Sequence, residues 1–224
     1  MTIIGARRCT AYAKEVVSEA ATFLAVHGGA VISGLSKGVE GYAHTACLNA
    51  GGHTLAFLGH GLDSCYPTEH RELMETISLE DAIISQFPLG SAPHPANFLK
   101  RNYLMAAWSP KMLVVEGGLR SAALQTAQHA RELDRLLFAV PHNIYSKEGK
   151  GTNNLLKKGA RIYLDPSQLL ALERELLKIL GDSSVSVEHL VQKLNREKTD
   201  ILEVISTLHI DGKLTILPGG LSNN

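Results

Sequence analysis

The sequence predicts an α/β protein in which a mostly parallel sheet, with helices on both faces, is followed by a small helical unit. Three observations predict it. Short apolar runs alternate with segments of helical periodicity from residue 2 to residue 164. The runs Leu113-Val114-Val115 and Leu136-Leu137-Phe138-Ala139-Val140 lack polar alternation, as strands buried on both faces should. Beyond residue 170 the composition shifts to closely spaced leucine-rich helical segments.

The first strand, residues 2–5, breaks at Gly5, and apolar residues recur at helical spacing over 12–27. A second strand over 30–34 leads into Ser33-Gly34-Leu35-Ser36-Lys37-Gly38, followed by a helix over 39–49 and a strand over 54–59. Further strands are read at 82–87, 112–116, 136–140 and 161–164, with helices near 69–77, 99–107 and 122–133. Such alternation implies crossover connections and a sheet shielded on two sides. The expectation is an extended Rossmann-like domain over residues 1–170.

The second unit is expected over 171–220. A leucine-rich helix spans 167–180, Gly181-Asp182-Ser183-Ser184 interrupts it, and a helix begins at Val187 behind Ser186 in a partial capping box. A second helix over 199–210, a turn at Asp211-Gly212 and a β-segment over 213–217 ending at Pro218-Gly219-Gly220 complete the outline of a winged helix. Residues 221–224 read as a disordered tail.

Charge narrows the function. The chain has 224 residues, with 22 Lys and Arg balanced by 22 Asp and Glu, so any anion site must be a local concentration of cations. No apolar run approaches the ~20 residues of a membrane span. No basic region followed by an apolar stretch opens the sequence, so no secretory signal is read. Three cysteines (Cys9, Cys47, Cys65) without a CxxC pair argue for a reducing compartment. A soluble cytoplasmic protein without membrane association is expected.

In an open parallel sheet, ligands bind beyond the carboxyl ends of the strands. Those positions carry Gly5-Ala6-Arg7-Arg8, then Ser33 to Gly38 with Lys37, then Glu116-Gly117-Gly118-Leu119-Arg120-Ser121-Ala122. Glycines admit an anion close to the backbone, helix N-termini offer amides, and Arg or Lys adds charge. Each loop alone is equally ordinary turn chemistry. Three cationic loops on one edge suggest a phosphate-accepting rim. GxGxxG is absent after the first strand and no Walker A motif occurs, which disfavours NAD binding and ATP hydrolysis.

The segment Asn97-Phe98-Leu99-Lys100-Arg101-Asn102-Tyr103 combines cations, an amide and two rings, a mixture suited to a single-stranded backbone with stacked bases. Read alone, it fits an amphipathic helix anchored by Phe98 and Tyr103 at least as well. A basic run holds Lys147, Lys150, Lys157, Lys158 and Arg161 against Glu148, with Gly151-Thr152-Asn153 as a helix start. His44, His53, His60 and His70 lack HExxH spacing, so no metal is expected, and no cofactor. Cys65 reads as a structural thiol. Glu40 and Glu116 sit at strand–helix junctions, where they could orient arginines or bind a ribose; no catalytic residue is assigned.

These loops, taken in order, resemble the DNA-processing protein A family (DprA/Smf). The resemblance rests on Gly5-Ala6-Arg7-Arg8, Ser33 to Glu40 with Ala43-His44, Ala50 to Thr54, Gly59 to Pro67, Asn97 to Asn102, Leu113 to Glu116 with Ser121, Leu124 and Thr126-Ala127, Ala139-Val140-Pro141, and Gly151-Thr152-Asn153 with Lys158-Gly159-Ala160. It covers nearly all of residues 1–170. It implies single-stranded DNA as ligand, a homodimer, and a role in loading a RecA-type recombinase during natural transformation. On that basis Gly5, Arg7, Arg8, Ser33, Gly34, Lys37, Gly38, Arg120, Ser121, Thr152 and Asn153 would form the phosphate rim. Phe98 would stack on a base, Lys100, Arg101 and Asn102 would line the pocket, and Lys157 and Lys158 would extend the cationic track.

The sequence departs from the family pattern at several points. Tyr103 replaces an arginine, Lys37 and Glu40 stand for Arg and Asp, Ala122 and His142 for glycines, and His94-Pro95-Ala96-Asn97 lacks a basic residue before the Phe. The helical segment that many members carry before this domain is expected to be missing. These changes bear on affinity more than on fold. Residues 171–224 hold six Lys and Arg against eight Asp and Glu, and 199–210 carries Asp200 and Glu203 with no Lys or Arg. Protein contact therefore suits this unit better than duplex reading.

Two other readings use the same sheet edge. A nucleoside-monophosphate phosphoribohydrolase of the Lonely-Guy type needs a Pro-Gly-Gly-x-Gly-Thr loop and a following glutamate, where this sequence has Glu116-Gly117-Gly118-Leu119-Arg120-Ser121. A sensor of small nucleotides, relaying through the winged helix, is the third.

Overall fold

The computed structural model describes residues 1–169, 172–180, 185–194, 198–210, 213–217 and 220–223. The chain divides into Met1–Gln168 and Leu169–Asn224. The first unit contains strands β1 (Thr2–Ile4), β2 (Val31–Gly34), β3 (Thr54–Leu58), β4 (Ala82–Ser85), β5 (Lys111–Val114), β6 (Leu136–Ala139) and β7 (Arg161–Ile162). Its helices are α1 (Ala11–Val26), α2 (Val39–Asn49), α3 (Arg71–Glu80), α4 (Pro95–Ala107), α5 (Ala122–Glu132) and α6 (Lys150–Lys157). The strands form one parallel sheet in the order β4-β3-β2-β1-β5-β6-β7.

Burial explains the order. Val31–Gly34 is buried throughout, and Ile3, Ile4, Met112, Leu113 and Val114 are each at most 1% exposed, so β1 and β5 take the centre, where both faces are covered. Side chains alternate between faces along each strand. Ile4, Ile32, Phe57, Met112 and Val114 join Met105 of α4, Ala123, Ala127 and Ala130 of α5 and Leu155 of α6 in one core. Ala56 and Leu58 turn the other way, towards Met74 and Ile77 of α3. The expected α/β architecture is therefore present. Strand ends differ by a residue or two, and α4 begins at Pro95 rather than 99, because His94 caps it by accepting from the Ala96 amide at 3.3 Å.

The order of strands positions the site. The chain builds outward from β1 to β4, then returns to lay β5 on the other side of β1. The crossover directions diverge between β1 and β5, which opens a crevice beyond their carboxyl ends.

The second unit contains α7 (Leu172–Leu180), α8 (Val187–Leu194), α9 (Lys198–Ile210) and an antiparallel hairpin of β8 (Leu214–Leu217) and β9 (Gly220–Asn223). Leu176, Leu180, Leu190, Ile201, Ile205, Leu208, Leu214 and Leu221 form its core. Ser186 caps α8 as expected, its hydroxyl accepting from the His189 amide at 3.3 Å. Two expectations are corrected. A 3-10 turn, Pro166–Leu169, occupies the start of the helix read over 167–180. The tail read over 221–224 is instead a strand through Asn223, because Leu221 is drawn into the core and pairs with both Ile216 and Val185. The break at 181–184, the turn at 211–212, Pro218-Gly219 and Asn224 lie outside the described residues. Among the described residues no helix is long and apolar enough to cross a membrane.

Candidate functional site

The loops after β1, β2 and β5 are tied together by groups that face inward. Glu116, fully buried just beyond β5, accepts from the Thr10 hydroxyl at 2.6 Å and its amide at 3.1 Å, while the same hydroxyl accepts from the Ala13 amide at 3.2 Å to cap α1. The Val39 amide donates to the Ala6 carbonyl at 3.2 Å, joining the start of α2 to the first loop. Between them Gly38 has φ +75°, and a Cβ there would overlap the Ala6 carbonyl, so both backbone angle and approach demand glycine. This frame leaves Arg7 exposed above the crevice.

Arg101 and Phe98, one turn apart on α4, point into the same region. Arg101 is 3% exposed; its Nη1 donates to the Phe57 carbonyl at 3.0 Å and lies 3.6 Å from Glu40 Oε2. Glu40 Oε2 also accepts from the Ser36 amide at 3.0 Å. Burial pulls the Arg101 guanidinium below its ordinary pKa, and the Glu40 carboxylate opposes that shift. The Arg101 Nε is buried without a hydrogen-bond partner. The guanidinium carbon of Arg101 stands 5.7 Å from the Phe98 centroid and that of Arg7 stands 5.8 Å away, both within cation–π range. Tyr66 packs against Phe98 at 5.7 Å with the rings tilted by 46°.

These residues enclose a cavity of about 700 Å³ whose lining includes Gly5, Arg7, Tyr66, Phe98, Arg101, Asn102 and Ser121. Leu99, Ser121 and Gln125 also border a neighbouring cleft of about 850 Å³ that carries Arg120 and Lys158. On the other side, Arg7 borders a hollow of about 550 Å³ with Arg8, Lys37 and Gly38, where Glu69 and Glu72 also sit. The expected rim is thus partly assembled in space.

Several other residues expected at the rim have their polar atoms engaged by the framework. The Ser33 hydroxyl donates to the Ile3 carbonyl at 2.6 Å and is fully buried. Gly34 supplies room, since a Cβ there would overlap Arg101 Nη1. The buried Thr152 hydroxyl donates to the Gly149 carbonyl at 3.0 Å. Asn153 accepts from the His142 amide at 3.0 Å and donates to its carbonyl at 2.9 Å, fastening the loop after β6 to α6. For Ser33, Thr152 and Asn153 a backbone partner already uses the polar atom. Lys37 pairs with Glu69, which that hydrogen bond holds below its usual pKa. Both side chains are more than half exposed, so the pair restrains Lys37 only weakly. Lys100 and Lys157 are exposed and line none of the three hollows.

Sequence reasoning missed Tyr66, Gln125 and Thr126 as lining residues. The loop after β3 is a legible place to look for Tyr66, but the adjacent Cys65 thiol is the more conspicuous group there. Thr126 stands in a stretch that carries the resemblance but has no site role there, and nothing local marks Gln125 near the start of an ordinary helix. Among the described residues no cluster of His, Cys, Asp or Glu could hold a metal.

A doubly wound parallel sheet, with a cavity of rings, guanidiniums, the Glu40 carboxylate and uncharged polar groups at its switch point, defines the Rossmann-like class of fold. The chain belongs to the DNA recombination-mediator protein A family, whose model matches residues 1–173. It is 38% identical over 169 residues to protein Smf of Synechocystis, covering 75% of this chain and 42% of that protein. It is 29% identical to protein Smf of Escherichia coli, covering 98% of this chain and 66% of that one. The chain thus spans about half the length of the curated relatives it matches. Among solved structures, DNA processing protein A of Streptococcus pneumoniae aligns with a TM-score of 0.71 at 29% identity, covering 75% of this chain and 59% of that one. DNA processing protein A of Helicobacter pylori, described for its single-stranded DNA binding mode, aligns at 0.69 with 31% identity over 80% of each chain. A molybdenum cofactor binding protein of Rippkaea orientalis, at 0.55 and 16% identity, shares the fold alone.

Proposed function

We propose that this chain binds single-stranded DNA in the switch-point cavity and acts as a recombination mediator of DNA processing. The observation that carries the reading is the pairing of Phe98 and Tyr66 with the exposed Arg7 guanidinium at one cavity. A ring offers any base a stacking face worth about 1–3 kcal/mol, and an exposed cation meets the phosphate without paying for burial. The single-strand binding described for the Helicobacter pylori relative supports the same ligand. Arg8 extends the cationic edge beyond Arg7, with Lys37 beside it.

Binding rather than hydrolysis is the reading for this edge. Glu116 is committed to the hydroxyl and amide of Thr10, and Glu40 is turned onto Arg101 and the Ser36 amide. No cofactor is called for. The partners we infer are a RecA-type recombinase and a second copy of this chain, in the cytoplasm of a cell taking up DNA. For the second unit we infer a winged helix whose net charge of −2 over residues 171–224 suits protein contact.

Fluorescence anisotropy of labelled oligo-dT at low and moderate salt, beside a duplex of equal length, tests the reading. Preference for the single strand is expected, weakened by salt and strongly reduced in Phe98→Ala and Arg7→Gln. Absence of binding at low salt would overturn it and redirect the search to free nucleotides.

A further inference from the structure

One wall of the switch-point cavity carries hydrogen-bond donors that the fold leaves unused. Helix α5 begins at this wall, where Ser121, Ala122 and Ala123 line the cavity. The first amides of a helix have no carbonyl one turn back, so an oxygen from elsewhere must meet them. At α1 the Thr10 hydroxyl takes one such amide, and at α8 the Ser186 hydroxyl does the same. At α5 no side chain caps the terminus and the first turn holds no acidic residue. The Ala122 and Ala123 amides have no acceptor among the described residues. The Ser121 Oγ, at the capping position, is itself buried without a partner.

An uncapped terminus alone is met by water. Here a second group joins it: Asn102 of α4 lines the same cavity, is 5% exposed and forms no hydrogen bond among the described residues. A buried amide is normally hydrogen-bonded, and the side of Asn102 left open is the cavity. The remaining charge sets the ligand. The lining holds two cations, Arg7 and Arg101, and one anion, Glu40. Arg101 and Glu40 lie 3.6 Å apart and offset one another, which leaves a surplus of one positive charge at Arg7. With a helix terminus worth roughly half a charge, that balance suits a singly charged phosphodiester better than the dianion of a terminal phosphate. The rings of Phe98 and Tyr66 in the same cavity offer its base a stacking face.

We propose that the N-terminus of α5, with Asn102 and the Ser121 hydroxyl, seats an internal phosphodiester of the strand whose base stacks on Phe98. The proposal rests on the single-strand reading above. It adds that one phosphate is held inside the cavity by uncharged donors, while the exposed Arg7 meets a neighbouring one.

The test removes one amide and leaves the helix. Proline at the first helical position costs no intrahelical bond. Ser121 has φ −76° and ψ 153°, the extended conformation that a following proline requires, so Ala122→Pro deletes a donor of the seat and keeps the fold. Its thermal midpoint should equal or exceed the parent's. Its affinity for oligo-dT, read by anisotropy, should fall on the order of tenfold. The loss should be the same at every salt concentration, because the salt slope counts cations and none has been removed. Asn102→Leu should weaken binding with the same unchanged slope. In isotope-labelled parent protein, oligo-dT should shift the Ala122 and Ala123 amide proton resonances downfield, and a 5′-phosphate on the oligonucleotide should add no affinity. Parent affinity in a folded Ala122→Pro, or unmoved amide resonances, overturns the phosphate seat while leaving stacking on Phe98 and the Arg7 contact intact. A large gain from the 5′-phosphate overturns the internal assignment and makes the seat a strand-end site. If Ala122→Pro loses its thermal midpoint, the parent's amide resonances decide. If the parent binds no oligo-dT, the single-strand reading itself fails.

Discussion

Arg101 and Arg7 divide the work that two adjacent guanidiniums could have shared. Arg7 is exposed and reaches the cavity from a loop, whereas Arg101 is buried between the Phe57 carbonyl, Glu40 and the Phe98 ring. Arg101→Met should cost on the order of 3 kcal/mol of folding stability, because it leaves the Glu40 carboxylate buried without its cation. The denaturant midpoint measures that loss. The same variant should weaken oligo-dT binding with little change in salt slope, while Arg7→Gln should make the slope shallower by about 0.7 and leave stability nearly unchanged. A large slope change in Arg101→Met would instead put that guanidinium on a phosphate. The motif around Arg101 was legible from residue types, but burial was not, because i and i+3 neighbours cannot reveal that a carbonyl from β3 waits above the helix.

His44 is the other residue whose role comes from its surroundings. Its Nε2–H donates to the Gly34 carbonyl at 2.7 Å, and its Nδ1 lies 2.6 Å from the Thr54 hydroxyl, which fixes a neutral ring between β2 and β3. Complete burial lowers its pKa from 6.5 to about 4. Between those values the unfolded chain takes up a proton that the folded protein refuses. Stability is therefore full above the unfolded value and falls as pH drops towards 4, by about 3 kcal/mol at ~1.4 kcal/mol per unit. Urea unfolding across that range should show the slope, and His44→Gln should flatten it.

At the scale of elements, the site depends on how closely loops approach one another. Gly34 ends β2 directly beneath the Arg101 guanidinium, so Gly34→Ala must displace Arg101 and the Glu40 carboxylate beside it. Loss of oligo-dT binding with far-ultraviolet circular dichroism preserved is the expected result. Thr10 performs two tasks, capping α1 and donating to Glu116, so it holds the first and fifth loops at a fixed spacing. Thr10→Ala should cost about 1–2 kcal/mol, as a lost N-cap does. Most elements were legible because strands buried on both faces and helices with one apolar face have different periods. Their ends were less so, since a cap such as His94, which accepts from the Ala96 amide two residues on, is not one of the residue types that mark a helix start. The final strand escapes a sequence reading for a related reason: Leu221 stands alone among polar residues, and only the core of the second unit gives it a place.

For the whole molecule, the cavity and the cleft lie within Met1–Gln168, and the second unit has a separate core. A protein shortened to residues 1–168 should keep the affinity and salt slope of the full chain for oligo-dT, which anisotropy measures directly. Weakened binding would make the second unit part of the DNA site, against the protein-contact role we infer from its acidic balance.

The sequence by itself determined the α/β class, the order of elements and the cationic loops after β1, β2 and β5, since these follow from local periodicity and from glycine placement beside charge. The tertiary structure decided which of those polar groups face outward. Ser33 and Asn153 satisfy backbone groups that belong to another strand and another loop, Arg101 is withdrawn under Phe98, and Tyr66 and Gln125 line the cavity from positions that look ordinary in the sequence. The physical reason is that a buried polar atom must find a partner, and in this fold the partner often belongs to a strand or loop that the local sequence does not contain.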